Sequence, residues 1–239
     1  MREYFNKMQN ETYDVFCEKV KENIINENKM LIVTANPETL MIAENDQEFK
    51  KIILDEKTTV VADGIGVIRG AKILNIPLKN RVLGVELSAK TLEYCNELEK
   101  GVYLFGSKEE VIQKMQEVLK EKYPNAKLVG SSNGYVEDKD KVFEDIKNKK
   151  PDVVLVALGI PHQEKIIAKH YDAMSKGIFI GVGGSLDVIS GSKKRAPKLF
   201  RKIKCEWLYR IVTEPKRLKR FFNHNVKYIS RLMKEKKQK

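Results

Sequence analysis

Six short runs of mainly β-branched and aliphatic residues recur along the chain: Met30–Thr34, Thr59–Ala62, Val102–Phe105, Lys127–Gly130, Val153–Leu158 and Ile178–Ile180. Each is followed by a break containing Gly, Asn, Asp or Ser, and then by an amphipathic helical pattern. Such alternation leaves few solutions, because every helix must bury its apolar stripe on the sheet whose strands it connects. It predicts an α/β fold, a parallel sheet of about six strands with helices on both faces. Before the first run, Tyr13, Phe16, Cys17, Val20 and Ile24 fall at helical spacing and predict a first helix of about four turns. Asn36-Pro37-Glu38 reads as an N-cap with proline at the first helical position, and Ser107 to Glu110 reads as a capping box. Asp138 or Asp140 opens a helix that ends before Pro151.

Charge divides the chain unevenly. The net formal charge of the 239 residues is +12, yet Ser192–Lys239 holds 18 Lys and Arg against three acidic residues. The rest of the chain is slightly acidic. This predicts an α/β domain over 1–194 and a basic, helical appendage over 195–239 that faces something anionic, either nucleic acid or a phospholipid surface. Leu199, Phe200, Ile203, Trp207 and Ile211 share a helical stripe. A second helix from Pro215 would carry Leu218, Phe222, Ile229, Leu232 and Met233 on one side and Lys216, Arg217, Lys219, Arg220, Lys227 and Arg231 on the other. A basic amphipathic helix of that kind lies in a headgroup region. No apolar run approaches the roughly 20 residues of a membrane span, and the N-terminus has no signal-peptide core, so a cytoplasmic, peripheral location is expected. Cys17, Cys95 and Cys205 are far apart and in no metal or redox spacing.

Ligands of an open parallel sheet bind beyond the carboxyl ends of the strands. The residues there are Thr34, Ala35 and Asn36; Asp63 and Gly64; Gly106 and Ser107; Ser131–Gly134; Gly159–Glu164; and Gly181, Gly183, Gly184 and Ser185. Such a rim suits sugar hydroxyls and phosphates. The glycine loop is read either as a close-packing turn or as a set of free N–H groups for a phosphate. Asp63 can be a general base, a hydroxyl acceptor, a metal ligand, or the N-cap of the helix that follows. Arg81 is a surface charge or a phosphate clamp, and Gln163 a sugar or uracil contact or a helix cap. His162 and His170 are about two helical turns apart, too far to share an ion, so no metal is expected. Serine-hydrolase, P-loop and first-strand dinucleotide signatures are absent, which leaves acid/base and electrostatic group transfer.

TANPE at Thr34–Glu38, ADGIGV at Ala62–Val67, RVLG at Arg81–Gly84, GIPHQE at Gly159–Glu164 and GVGGSLDVISG at Gly181–Gly191 come in this order, followed by KRAP, EWLYR and EPKR. The ordered set resembles the WecG/TagA/CpsF glycosyltransferases, glycosyltransferase family 26, from about residue 5 to 230. The resemblance implies a Rossmann-like sheet with a membrane-meeting C-terminal appendage and metal-independent catalysis without a cofactor. It implies transfer of N-acetylmannosamine from its UDP donor to the 4-hydroxyl of N-acetylglucosamine on undecaprenyl diphosphate, with inversion, as in wall teichoic acid synthesis. It maps the catalytic aspartate to Asp63, pocket positions to Thr34, Asn36, Arg81 and Gln163, and appendage arginines to Arg210, Arg217 and Arg220. Ala62 and His162 depart from the commoner Pro and Lys of the family, and the second bears on donor preference. Alternatives carried forward are another UDP-sugar donor such as the ManNAc uronate or glucose, a nucleotide-sugar sensor without turnover, and a basic nucleic-acid-binding protein. A homo-oligomer is left open.

Overall fold

The computed structural model describes residues 1–202, 206–213 and 216–238, with backbone alone for 199, 201, 210, 211 and 216–221. The chain starts with α1 (Arg2–Lys7) and β1 (Met8–Gln9), and continues through α2 (Tyr13–Ile25), β2 (Lys29–Ala35), α3 (Pro37–Asn45), α4 (Gln47–Leu54), β3 (Thr58–Ala62) and α5 (Ile65–Ile73). Then come α6 (Gly84–Glu97), β4 (Gly101–Gly106), α7 (Glu109–Lys122), β5 (Lys127–Ser132), α8 (Lys139–Lys149), β6 (Val153–Ala157), α9 (His162–Tyr171), β7 (Gly177–Gly181) and α10 (Ser185–Ile189). The basic end forms α11 (Lys198–Lys202), α12 (Glu206–Thr213) and α13 (Lys216–Lys237).

All strands are parallel in one sheet of seven, in the order β1-β3-β2-β7-β6-β4-β5. Each of the six runs read from the sequence is a strand. The seventh, β1, pairs only Met8 with Val60 and Gln9 with Val61. Two residues carry no period, so no β-pattern announces them.

Alternate strand residues fill two layers, as parallel strands buried on both faces require. On one face Ile32, Val61, Leu104, Leu155 and Ile180 pack under α2, α6, α7 and α10. On the other, Val33, Phe105, Val156 and Phe179 pack under α8 and α9. Toward the β1 edge of that second face, Ala35, Val60 and Ala62 are covered by α1, α3, α4, α5 and α13. Thus α3 leaves β2 to one face while α10 leaves the adjacent β7 to the other. The crevice between such diverging connections is where an open sheet takes its ligand.

Helix starts follow local chemistry in part. Asn36 caps α3, its side chain accepting from the N–H groups of Glu38 and Thr39, with Thr39 Oγ1 accepting from Asn36 N–H in return. Asp138 caps α8. The capping box expected at Ser107 is not formed: α7 begins after Lys108 without a side-chain cap. Ser107 instead has φ 58° and turns its hydroxyl toward Asp187, 3.4 Å away.

The expected single apolar side of the last helix is corrected. Tyr228 and Leu232 are buried in the body of the domain, whereas Phe222, Val226, Ile229 and Met233 are half-exposed on the outside. Arg231 pairs with Glu44 on α3, and Glu235 takes the N-terminal ammonium. The C-terminal half of α13 is therefore packed into the α/β domain that the charge pattern placed before residue 195. Leu218, Ile203 and Pro215 lie outside the described side chains.

Candidate active site

Thr34, the penultimate residue of β2, donates through Oγ1 to the Gly181 carbonyl at the end of β7, 3.4 Å away. The first residue of α6, Gly84, packs on the same hydroxyl: a Cβ there would lie 3.2 Å from Thr34 Oγ1. Ala35 accepts from the Asp63 N–H at 2.8 Å, and Ala62 accepts from the Val82 N–H at 2.9 Å. These bonds continue the sheet past its last ladder rungs. They bring the β2 end, the β3 end and the Arg81–Gly84 segment side by side. Residues far apart in sequence, Thr34, Asn36, Asp63, Arg81 and Gly181, thus share one end of the sheet.

Asp63 is half-buried at this end. The N-cap position of α5 falls on the next residue, Gly64, with φ 94° and ψ 163°. That backbone region is open to glycine and costly for any other residue. Space lies in front of it, since a Cβ on Gly64 would meet nothing within 4 Å, and the same holds for Gly159 and Gly184. Three glycines just past strand ends thus each face open space. Asn36, by contrast, uses its side-chain oxygen for the α3 cap.

The glycine loop is less open as a donor set than its sequence suggested. The Gly183 N–H donates to Gln163 Oε1 and the Ser185 N–H to the Val182 carbonyl. A cradle of free N–H groups over Gly181–Ser185 is therefore corrected to a braced turn, in which the Gly184 N–H has no partner among the described residues. An uncapped start does exist nearby. The fourteen-residue α6 has Leu83 as N-cap and no side-chain cap, three residues after Arg81. Its leading N–H groups and dipole add to the positive field of the arginine.

Gln163 is an internal brace. It is 2% exposed. Its Oε1 accepts from both the Gly159 and Gly183 N–H groups at 3.1 Å, and its Nε2 donates to Glu164 Oε1 at 2.7 Å. A flipped carboxamide would set N–H donors against two backbone N–H groups, so Glu164 fixes the sense of the amide. Glu164 is equally buried, and its Oε2 has no hydrogen-bond partner. Burial pushes its carboxyl up to about 7. The sequence signal for this pair was two adjacent polar residues in the first turn of a helix that faces a strand on one side.

The basic segment is tied back to this region. Arg195 bridges Glu86 in the first turn of α6 and Glu206 at the start of α12, and Lys193 approaches Asp187 of α10. The side chains of Arg210, Arg217 and Arg220 lie outside the described residues. A separate depression of about 530 Å³ between α8, α9 and α4 is lined by Lys139, His162, Lys165 and Lys169. Lys165 is paired there with Asp46 and Glu48, and Lys169 with Asp140. His170 also bonds Asp140 and stacks on Phe143. No three metal-ligating side chains come together among the described residues.

Residues 5–239 match the Glycosyl transferase WecG/TagA/CpsF family. Curated relatives include a protein from Bacillus subtilis (strain 168), 37% identical over 87% of this chain and 81% of its own length. Another, from Staphylococcus aureus (strain NCTC 8325 / PS 47), is 37% identical over 88% of this chain and 84% of its own. A third, from Bacillus spizizenii, is 34% identical over 92% and 85%. All three are named N-acetylglucosaminyldiphosphoundecaprenol N-acetyl-beta-D-mannosaminyltransferase. The motifs that build the crevice and the match along nearly the whole length agree: the chain belongs to the WecG/TagA/CpsF family of glycosyltransferases.

Proposed function

We propose that this chain transfers N-acetylmannosamine from its UDP donor to the 4-hydroxyl of N-acetylglucosamine carried on undecaprenyl diphosphate. The reading is supported by the names of relatives 34–37% identical over most of the chain. The observation that supports the mechanism is the place of Asp63, a half-buried carboxylate that follows β3 and whose N–H bonds the Ala35 carbonyl at the end of β2, next to Thr34. Inversion needs one base on the acceptor hydroxyl, on the side of the sugar opposite the departing diphosphate. Asp63 takes that proton as the hydroxyl oxygen bonds the anomeric carbon and the bond to the UDP oxygen breaks. A positioned base of this kind contributes about 10²–10⁴-fold. The negative charge that grows on the leaving diphosphate is met by Arg81, the α6 start and the Gly184 N–H, a fixed set of donors acting in place of a cation. Thr34 and Asn36 border the same space.

The acceptor's lipid remains in a bilayer, so the enzyme must work at the membrane face. Among the described residues no helix is long and apolar enough to cross one. The exposed Trp207, Leu208 and Val212 of α12, with Phe222, Val226, Ile229 and Met233 of α13, give the basic end an apolar outer surface. Seated among lysines, that surface fits an anionic inner leaflet, each basic residue contributing about 1 kcal/mol near it. Nucleic acid would not use it. Arg210, Arg217 and Arg220 belong to the same segment in sequence, and the family resemblance makes them candidates for the acceptor diphosphate.

UDP release with a lipid-linked N-acetylglucosaminyl diphosphate acceptor, measured across a panel of UDP-sugars, tests the reading. UDP-N-acetylmannosamine is expected to give the highest kcat/KM. Preference for the uronate or for UDP-glucose would reassign the donor, and absence of turnover with every donor would contradict the transferase.

A further inference from the structure

The helix that leads out of Asp63 contains two glycines four residues apart, Gly66 and Gly70, each closely approached by a different helix. A Cβ on Gly66 would lie 2.7 Å from Pro37 Cγ of α3. A Cβ on Gly70 would fall inside the Tyr228 hydroxyl and 2.8 Å from its ring carbon Cζ, with Leu232 just beyond. The Tyr228 hydroxyl also reaches the Gly66 carbonyl, 3.4 Å away. Glycine in the interior of a helix weakens it, so two in a nine-residue helix indicate that close approach of neighbours is what the positions require.

From this geometry we propose that Tyr228 is a positioning residue for Asp63. The inference rests on the reading of Asp63 as the base. Tyr228 of α13 bears on α5 at Gly70 and Pro37, in the first turn of α3, bears on it at Gly66, one turn away on the same helix face. The start of α3 is the Asn36 cap, and the residue before the Gly64 cap of α5 is Asp63. Tyr228 therefore sets the spacing between the two segments that carry Asn36 and Asp63. The side chain sits in the packed interior, 2% exposed, where a displaced ring has no other room. The role is separate from any membrane contact, because the face of α13 that carries Tyr228 is turned inward.

The test uses the full-length protein and a water-soluble acceptor, with kcat, the donor KM, UDP affinity by calorimetry and thermal melting read together. Gly70→Ala, which drives Tyr228 away, is expected to lower kcat at least tenfold while UDP affinity stays within about twofold. Adding Tyr228→Leu to Gly70→Ala vacates the space and is expected to restore most of kcat. Tyr228→Leu alone is the arm to use if Gly70→Ala does not fold, with the same split expected. Unchanged kcat in a folded Gly70→Ala or Tyr228→Leu protein overturns the inference, as does a parallel loss of kcat and UDP affinity that the double variant does not repair. Asp63→Asn measured alongside separates the two claims. If Asp63→Asn is inactive and Gly70→Ala normal, only the positioning role falls. If Asp63→Asn retains turnover, the base assignment falls, and Tyr228 has no base to position.

Discussion

Glu164 shows how a single residue can couple the crevice to pH. Its carboxyl is buried, bonded only on Oε1, and pushed up to about 7 by desolvation. The folded protein thus holds this proton more tightly than the unfolded chain does, where a glutamate titrates near 4.3. The stability that goes with it is present in full below the unfolded value. It is lost as pH rises through about 7, on the order of 3–4 kcal/mol in all. Glu164→Gln keeps an acceptor for Gln163 Nε2 and removes the titration. Its melting temperature is therefore expected to fall less than that of the unmodified protein between pH 5 and pH 8; parallel curves would contradict the buried-acid account. Asn36 supplies a contrasting case. Its capping role was legible from Asn-Pro-Glu, and Asn36→Ala is expected to cost about 1 kcal/mol of stability, read by chemical denaturation. The Gln163–Glu164 brace was not legible, because its partners Gly159 and Gly183 are set by tertiary closure rather than by local spacing.

Among the elements, the strands were the most readable, since a parallel strand buried on both faces must be apolar throughout. Helix ends were less so: Ser107 carried the capping signature, yet its φ of 58° took it out of the cap. The last helix was misread for a clear reason. An apolar stripe wider than one contact can serve two surfaces, and sequence does not say where one ends. Tyr228 and Leu232 took the inner one, leaving Phe222, Val226, Ile229 and Met233 outside. Deleting everything after residue 195 would accordingly remove core side chains together with the outer surface. Val226→Glu with Ile229→Glu discriminates better. These changes are expected to release the protein from vesicles containing anionic lipid at least tenfold, as read by sedimentation, with turnover on a water-soluble acceptor kept. Undiminished vesicle binding would exclude the outer face as the membrane contact.

At the scale of the molecule, the diverging connections at β2 and β7 explain why chemistry collects where it does. Thr34, Asp63, Arg81 and Gly181 come from four chain segments, and only the strand order makes them neighbours. The alternation of runs and helices made the sheet legible, and the rim residues followed from it. The strand order itself was not readable, since nothing local tells β4 to cross to the far side of β7. In the proposed mechanism Arg81 and the α6 start meet the diphosphate charge, so turnover is expected to persist in EDTA; loss restored by added Mg²⁺ or Mn²⁺ would show that a metal does that work. The most direct measurement is the turnover of Asp63→Asn on UDP-N-acetylmannosamine and a lipid-linked acceptor, with UDP binding measured on the same preparation. The account predicts a loss of at least a hundredfold in kcat with UDP affinity within about twofold of the unmodified protein. Near-normal turnover by that variant would contradict it.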